Sequence, residues 1–533
     1  MIRFYLFLLA CCALTSLQAQ DSIVIPPDVT DESGFIFTYL DDFVEADTLA
    51  NGEQAHSTYL LEAGGVYYFS KRVVWDFDVH FGATGDVENM GRPFVGRRSP
   101  SGTLNKPDAY RGSADISFDN LEIEMGYEAP GVNSYEVAFL RGGGDSVKYS
   151  FNNCLLYKVR QALARSEGQN ESVFITNCHI YNLGDFGQFQ GNGRLVSPRT
   201  GPVDSIVIKG NVIHNVLDRL YIGFRQASLN YFEFSGNTVF NHVGRHGFIQ
   251  LNNTKESVIF NNFIQNPSIM GSAPSIADEQ INTLGEQIYL FSLDTIVEGA
   301  SITMSNNNIN YTQDVLDHYA SFDSVTKPNI YSPVFQQALT GDVADAHFEE
   351  TLELNNVPDR QPLIDYAREA FLFRDSSGLT NIMVEDSTFA AFVPELMSTY
   401  TFDFIGGAFD PCYDPSSMSA TASRDGNAVG AVGFCDQLTS TRSPVFNPAL
   451  KLVAMPNPAS EQLSITFETT HQGPVSVKLF DTTGKLVRNN YQSNLTPGEQ
   501  RVDFNNLSNL PAGMYIARLR TQEGQMVVKV MKQ

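Results

Sequence analysis

Basic residues are scarce in this chain of 533 residues. Lysine and arginine number 35 against 60 aspartates and glutamates, which gives a formal net charge of −25. A surface with this excess of negative charge is repelled by phosphate backbones and by anionic lipid headgroups. The composition therefore argues against nucleic acid and anionic membrane surfaces as partners, and it predicts a well-solvated exterior.

Long apolar runs are also missing, except at the N-terminus. Residues 4–10 are all apolar, the run continues to Leu17, and the small residue Ala19 follows. A run of this length predicts a cleavable signal peptide over residues 1–19, so the mature chain is expected to be exported and to have no transmembrane segment. Cys11 leaves a lipoprotein cleavage site as the alternative.

Cysteine is sparse for an exported protein, because only four of the six cysteines lie beyond the signal peptide. Cys412 and Cys435 bracket a segment rich in Pro, Gly and Ser, and they predict a disulfide. Cys154 and Cys178 follow the same position of neighbouring repeats, so we expect them on adjacent coils about 4.8 Å apart. Either a disulfide or an unbonded stack of small buried residues fits that spacing, and the stack is favoured.

The sequence does contain a short motif that recurs between residues 115 and 266. The motif reads apolar residue, any residue, apolar residue, any residue, Asn, and two of the copies carry one extra residue before the Asn. Successive copies begin 24 to 33 residues apart. A period of this length with insertions is typical of a solenoid. The six clear copies end at Asn120, Asn153, Asn177, Asn211, Asn237 and Asn262.

The alternation within each copy predicts a strand of four or five residues with one buried face. Helical repeats would need apolar residues at spacings of three and four, which the copies lack. Stacked copies would place Asn above Asn at a bend, where their side chains can hydrogen-bond and tolerate a left-handed backbone. The sequence therefore predicts an all-β chain whose main part is a parallel β-helix.

The phrases NNCLLY, TNCHIY, GNVIHN, GNTVFN and NNFIQN resemble those of right-handed, pectate-lyase-like β-helix proteins. The resemblance covers roughly residues 60 to 400 and implies a right-handed coil. It does not select an activity, because the same fold serves lyases, hydrolases, epimerases and adhesins.

A different pattern begins near Leu452. Short alternating strands separated by turns predict a small antiparallel β-sandwich. The residues PNPA, VKLFDTTGKLV, LPAGMYIARL and VVKVMK closely resemble the C-terminal sorting domain of the type IX secretion system of Bacteroidetes. This resemblance implies contact with the secretion machinery through residues 452–533, and secretion or attachment at the outer cell surface.

The predicted organisation is thus a signal peptide over residues 1–19, a β-helix with an N-terminal cap and loop insertions over 20–436, a linker over 437–451 and a sorting domain over 452–533. The mature chain is expected to be a monomer. Residues 85–112, rich in Gly, Arg and Pro, predict a long loop, and Leu363–Phe373 has the spacing of an amphipathic helix.

Arginines recur just beyond the repeats. Residues seven or eight positions after a repeat Asn are expected to form one column along the coils, and Asp218 and His246 are expected beside that column. A second group of arginines lies a few positions further along each coil. Arginine suits acidic sugars because its planar group makes two hydrogen bonds to a carboxylate. We therefore predict substrate binding by Arg160, Arg165, Asp185 and Arg225. The first column is Arg160, Asp185, Arg219 and Arg245, and the second group is Arg165, Arg194, Arg199 and Arg225.

A polysaccharide lyase must neutralise a uronate carboxylate and remove the neighbouring proton. Arg219 or Arg245 could neutralise the carboxylate, and His246 is the better base because its pKa lies near neutrality. Asp185 and Asp218 could instead bind Ca²⁺ for the same purpose. Arg245-His-Gly247 is similar to a phrase of alginate and chondroitin lyases of this fold, whose catalytic lysine has no clear counterpart here.

Three interpretations of these residues stay open: mutually compensating surface charges, glycan binding without turnover, and cleavage by a lyase or hydrolase. The sequence predicts an exported β-helix protein that binds or cleaves acidic polysaccharide. The alternative is a non-catalytic cell-surface or adhesin-like protein.

Overall fold

The computed structural model describes most of the chain. The predicted signal peptide lies outside the described residues, and so do Asp185 and Arg245. The described ranges are 22–31, 35–100, 108–129, 132–134, 138–184, 193–223, 225–244, 246–272, 288–368, 409–439, 447–482 and 485–533.

Short strands wind into coils, and each coil gives one strand to each of three parallel sheets. In one coil these strands are Lys148–Asn152, Leu155–Val159 and Ala162–Arg165. The next coil lies directly on it, with Tyr149 paired with Val173 and Leu156 paired with Ile180. The predicted parallel β-helix is confirmed.

The strands of each sheet, in order along the coil axis, have the following bounds. The first sheet consists of Ser22–Ile25, Thr58–Glu62, Val79–Thr84, Ile116–Asp119, Lys148–Asn152, Glu171–Thr176, Pro202–Lys209, Ser228–Ser235, Thr254–Phe260 and Ser301–Ser305. The second consists of Val29–Thr30, Ile36–Tyr39, Val66–Phe69, Phe94–Arg97, Glu122–Glu124, Leu155–Val159, His179–Leu183, Val212–Val216, Thr238–His242, Phe263–Gln265, Asn307–Asn310 and His347–Phe348. The third consists of Asp108–Tyr110, Ala138–Arg141, Ala162–Arg165, Arg194–Val196, Tyr221–Ile222, Ile249–Leu251, Tyr289–Leu293 and Asn329–Tyr331.

The apolar positions of the repeat fill the interior of the coil. Phe118, Phe151, Ile175 and Phe234 are at most 1% exposed, and the rings of Phe118 and Phe151 stack with centroids 5.2 Å apart. Burying one such side chain contributes about 1.5–3 kcal/mol relative to leaving it in water. The stacked copies therefore supply the hydrophobic core that a single coil could not form.

In the sixth copy, the residue that faces the core is one position away from those predicted to do so. Ile259, rather than Val258 or Phe260, pairs with Phe234 and lies inside. Phe260 points outward, where the guanidinium of Arg424 lies 4.0 Å from its ring centroid. The outward aromatic side chain thus gains a cation–π partner instead of core contacts.

The corner between the first and second sheets uses asparagine in two ways. Asn153 and Asn177 adopt left-handed backbone with φ of 51° and 54°, as predicted for a sharp bend. Where the phrase has an extra residue, Gly210 takes the left-handed position at φ 67°, and Asn211 stands one place later. Cys178, which precedes His179, is level with Asn211 because His179 pairs with Val212.

The asparagines at that later place form a buried hydrogen-bonded ladder. Asn211 Nδ2 donates to Asn237 Oδ1 at 3.0 Å, and Asn237 Nδ2 donates to Asn262 Oδ1 at 3.0 Å. Asn262 continues the ladder to Asn307 at 2.8 Å. The predicted row of asparagines is therefore present in two parts. In the earlier coils Asn153 Nδ2 donates to Asn120 Oδ1 at 3.2 Å, and from Asn211 onward the row stands one place later, where Cys154 and Cys178 stand in the earlier coils.

Replacing Asn237 with alanine is expected to lower the free energy of unfolding by about 2–4 kcal/mol, because two buried backbone groups lose their partners. Its side chain accepts from the Asn211 amide at 3.0 Å and donates to the Ile208 carbonyl at 2.9 Å. Denaturant unfolding followed by circular dichroism measures the loss. The matched change at exposed Asn152 should cost less than about 0.5 kcal/mol, and equal losses would contradict the ladder's role.

The two cysteine pairs differ in the structure. Cys154 and Cys178 are unbonded and buried, with the Cys154 amide 3.4 Å from Cys178 Sγ. Cys412 and Cys435 form a disulfide with their Cα atoms 5.6 Å apart. The segment that this disulfide closes covers the outer face of the second sheet, where Tyr413 stacks on Phe263 with ring centroids 5.1 Å apart.

Segments outside the repeats partly differ from expectation. Residues 85–112 are not one loop, because they contain a short helix and the strands Phe94–Arg97 and Asp108–Tyr110. A helix covers residues 361–368 and so begins two residues before the predicted Leu363–Phe373, and residues 369–373 lie outside the described part. The other α-helices are Leu40–Ala46, Val87–Met90, Gln313–Ala320, Pro333–Ala338 and Val432–Thr439. The 3₁₀ turns are Val343–Asp345, Met418–Thr421, Pro448–Leu450 and Leu507–Asn509, and Tyr127–Ala129 forms a hairpin with Val132–Ser134.

The C-terminal part is a small sandwich of two antiparallel sheets, as predicted. Val477, Leu479, Ile465 and Ala517 lie in its core, and none of these side chains is more than 1% exposed. The three-stranded sheet consists of Val453–Met455, Leu463–Thr469 and Gly498–Phe504. The four-stranded sheet consists of Leu486–Leu495, Gly473–Asp481, Gly513–Thr521 and Gly524–Lys532.

Candidate functional site

Arginines collect on the outer face of the third sheet. Arg141 and Arg165 are the last residues of adjacent strands and pair directly across the coil step. Leu140, Leu163 and Ala164 beside them enter the core. The register of the sheet therefore places two guanidinium groups next to each other outside it.

One carboxylate serves three of these arginines. Glu167 lies 2.7 Å from Arg141, 3.1 Å from Arg111 and 3.6 Å from Arg165, measured between side-chain nitrogen and oxygen atoms. Asp108 also lies 3.9 Å from Arg141, but it pairs with Arg72 as well, so two carboxylates are shared among four guanidinium groups. The cluster therefore keeps a local excess of positive charge on an acidic protein.

The electrostatics of Arg165 reflect this excess. Burial, together with the positive charges of Arg141, Arg194 and Arg225, lowers the pKa of Arg165 to about 10 despite the nearby Glu167. Like charges that lower one another's pKa also favour an anion among them. These arginines thus form a site suited to a carboxylate or sulfate group, which we call the arginine cluster: Arg111, Arg141, Arg165, Arg194 and Arg225.

A second group of charges centres on Asp218, whose side chain is fully buried. Its carboxylate lies 2.7 Å from Arg194 Nε, 2.6 Å from His246 Nδ1 and 3.7 Å from Arg219 Nε. The Asp218 carbonyl also lies 2.6 Å from Nε2 of His242. Arg194 belongs to both groups and joins them.

Burial alone would raise the pKa of Asp218, yet the charges of His246, Arg194 and Arg219 hold that pKa well below its ordinary value. Both carboxylate oxygens face cationic donors rather than open space. Calcium requires several oxygen ligands, so this surrounding disfavours the hypothesis that Asp218 binds Ca²⁺. Within the described part of the chain, no group of three or more His, Cys, Asp or Glu side chains could hold a metal ion.

The network continues past Arg219 to the next coils. Arg219 Nη1 donates to Gln250 Oε1, and Gln250 Nε2 lies 3.3 Å from an oxygen of Asp294. Burial raises the pKa of Asp294 above its ordinary value, although Gln250 and Arg219 oppose the shift. A half-buried carboxyl with a raised pKa can donate a proton, which the buried Asp218 cannot.

The structure separates some predicted site residues and joins others. His246, Arg219 and Asp218 lie together, and Arg165 and Arg225 lie together in the arginine cluster. Arg160 does not share a column with Arg219, because it follows Val159, which is level with Leu183 and then Val216. Asp185 and Arg245 lie outside the described residues.

Five residues of the site were not among the predicted site residues: Arg111, Arg141, Glu167, Gln250 and Asp294. Arg141 precedes the second copy of the repeat rather than following it, so counting forward from an asparagine does not reach it. Gln250 lies in a strand of only three residues, which is too short for visible alternation, and Asp294 follows the strand Tyr289–Leu293. A usable signal for Arg141 was its place at the end of the apolar run Ala138-Phe-Leu-Arg141.

The fold and this site define a β-helix protein with a cation-rich face and an appended sandwich domain. Residues 454–533 match the family of the secretion system C-terminal sorting domain. No curated protein matches the chain. The sorting domain indicates export by the type IX secretion system, contact with its machinery, and secretion or attachment at the cell surface.

Among the helices of the described residues, none is long and apolar enough to cross a membrane. The linker predicted over residues 437–451 and the exact division of the chain stay predictions.

Proposed function

We propose that the arginine cluster binds an acidic polysaccharide outside the cell. The single observation that carries this proposal is the sharing of Glu167 by Arg111, Arg141 and Arg165, which leaves positive charge for a ligand. Carboxylate or sulfate groups of the glycan would pair with the guanidinium forks.

The exposure of these side chains fits a ligand that lies on the surface. The side chain of Arg111 is 41% exposed and that of Arg141 is 19% exposed. Arg225 is exposed as well, whereas Arg165 and Arg194 lie deeper. An extended glycan could therefore contact the outer arginines, with the deeper ones adding to the field.

Replacing Arg141 and Arg165 with glutamine is expected to weaken binding of alginate or polygalacturonate by about tenfold for each arginine, because Arg141 loses a charged hydrogen bond to the glycan and the deeper Arg165 loses its share of the positive field. The fold should survive, since Arg111 still pairs with Glu167 at 3.1 Å. Calorimetric titration measures the affinity, which should also fall as ionic strength rises.

The matched control is Arg501→Gln on the sorting domain, where the arginine is 65% exposed and pairs with Asp503 at 2.7 Å. It should leave the affinity unchanged. Neutral dextran should not bind. Equal binding of dextran, or an unchanged affinity of the double variant, would refute the proposed glycan site.

A second candidate function is cleavage of the bound glycan by β-elimination. The observation that favours it is the short contact of 2.6 Å between His246 Nδ1 and the buried Asp218 carboxylate. In the neutral ring, Nδ1 donates its proton to the carboxylate, which orients the ring, and Nε2 would be the atom that removes the C5 proton of a uronate. Asp294, with its raised pKa, would then protonate the leaving oxygen.

A further inference from the structure

The outer face of the four-stranded sheet of the sorting domain carries buried cations. Val477 and Leu479 enter the sandwich core, so Lys478 between them points to the opposite face. Lys478 pairs with Arg518 across the sheet, and Ser476 pairs with Arg520. Lys478 and Arg518 are only 5% and 7% exposed, which a small sandwich cannot achieve on its outer face by itself.

The first coils of the β-helix cover this face. Asn489 and Tyr491, from the neighbouring strand, contact the body through hydrogen bonds of ordinary length. Leu486 packs against the aromatic cluster of Phe35, Phe37, Tyr68 and Phe94. The hydrogen bonds are Asn489 Nδ2 to the Ile36 carbonyl at 2.9 Å, Tyr491 Oη to Glu62 Oε2 at 3.0 Å, and two at 3.5 Å, from Ser476 to the Gly64 carbonyl and from Arg520 to the Met90 carbonyl.

The body presents the carboxylate of Glu122 to these cations, but also the positive charge of Arg92, which acts on Arg520. Glu122 of the body is 8% exposed and accepts from Tyr157 Oη at 3.0 Å. Burial lowers the pKa of Lys478 to about 7. The negative charge of Glu122 opposes this shift, and the positive charges of Arg518 and Arg520 add to it. Burying these charges adds little net stability to the contact, because the loss of hydration offsets the attraction between opposite charges.

We propose that the sorting domain docks on the first coils of the β-helix through this cationic face, and that the contact acts as a latch that must open before Lys478, Arg518 and Arg520 can meet another partner. The β-helix of the same chain thus covers the cationic face of the sorting domain before any other partner can bind there. The cationic face is withheld until the two parts separate. The inference does not depend on the proposed glycan site.

Amine labelling of the intact chain tests the latch. Lys478 should react with an acetylating reagent at least tenfold more slowly than Lys451, whose side chain is 65% exposed, as followed by peptide mass spectrometry. Glu122→Lys should raise the labelling of Lys478 several-fold by opening the contact. The matched change Glu256→Lys, at an exposed position of the first sheet, should have no effect. Equal labelling of Lys478 and Lys451 in the native chain would overturn the proposal.

A disulfide between the two parts provides an independent test. A Cβ placed on Gly64 would lie 3.4 Å from Ser476 Cβ, close to the separation of about 3.5–4.5 Å that a disulfide needs. Gly64→Cys with Ser476→Cys should therefore keep the two fragments joined, until reduction, after cleavage at a protease site inserted between residues 439 and 447. Gly52→Cys with Ser476→Cys is the control, because nothing lies within 4 Å of a Cβ at Gly52. Failure of the first pair to cross-link, or equal cross-linking of both pairs, would show that the domains do not dock in this way.

Discussion

Asp218→Asn should lower the free energy of unfolding of the β-helix by about 3–5 kcal/mol, because it removes the negative charge from a buried ion-pair network and leaves its cations uncompensated. The side chains of Arg194 and Arg219 are only 10% and 7% exposed. Water cannot easily replace the lost partner at such depth. Asparagine keeps the size of the side chain, so the loss would report charge rather than packing.

The effect should also depend on pH. The native pKa of Asp218 is held well below its ordinary value of about 3.9, so the unfolded chain takes up this proton first as the pH falls. The unfolded state then binds more protons than the native state, and the native chain loses stability. The difference between the native chain and the Asp218→Asn variant should thus be constant above about pH 4 to 5 and should shrink at lower pH.

Glu45→Gln is the matched control for charge removal from an ion pair. Glu45 lies 2.6 Å from Lys71, but both side chains are exposed, at 41% and 50%. Such a pair contributes about 0–1 kcal/mol. Denaturant unfolding of both variants, followed by circular dichroism, compares their free energies of unfolding. Losses of similar size in the two variants would show that Asp218 is not a buried centre of charge.

The repeat predicted the fold because its signal is local. Each copy holds two apolar residues and a corner residue within five positions of the chain, Phe151 and Asn153 among them. The stacked coils repeat this arrangement along the axis. The sixth copy shows the limit of this signal: Val258, Ile259 and Phe260 are all apolar, so alternation alone cannot decide which of them enters the core. The pairing of Ile259 with Phe234 decides it.

The candidate site was harder to predict because its residues meet only through the register of the coils. The chain takes two residues from Val159 to the next strand at Ala162, but ten from Leu183 to the next strand at Arg194. Residues at the same level of two coils therefore lie at different sequence distances from the preceding asparagine. Asp218, Arg219 and His246 were nevertheless predicted together, because the coils that carry them have similar lengths at this corner.

The positions of the two surfaces have a consequence for export. The sorting domain contacts the body at Ile36, Glu62, Met90 and Glu122, on or beside the first and second sheets. The arginine cluster lies on the third sheet. We therefore expect the glycan to bind with similar affinity whether or not the sorting domain is attached.

His246→Ala should abolish most of any cleavage of acidic polysaccharide, with a loss of about 10²–10⁴-fold in turnover, because the positioned base would be gone. The substrates to test are pectate, alginate and chondroitin, and the absorbance of the unsaturated uronate product measures β-elimination. Affinity for the glycan should change little, because the arginine cluster stays in place. This separation of turnover from binding distinguishes a base from a residue that only holds the site together.

His56→Ala is the matched control, since His56 Nδ1 also lies 2.9 Å from a carboxylate, that of Asp47, away from the arginine cluster. It should keep the full rate. A wild-type rate in His246→Ala would exclude His246 as the base, and release of reducing ends without unsaturated product would replace elimination by hydrolysis. If the native chain bound these polymers but left them intact, the Asp218–His246 pair would be a structural ion pair of the β-helix, and the arginine cluster would act by binding alone.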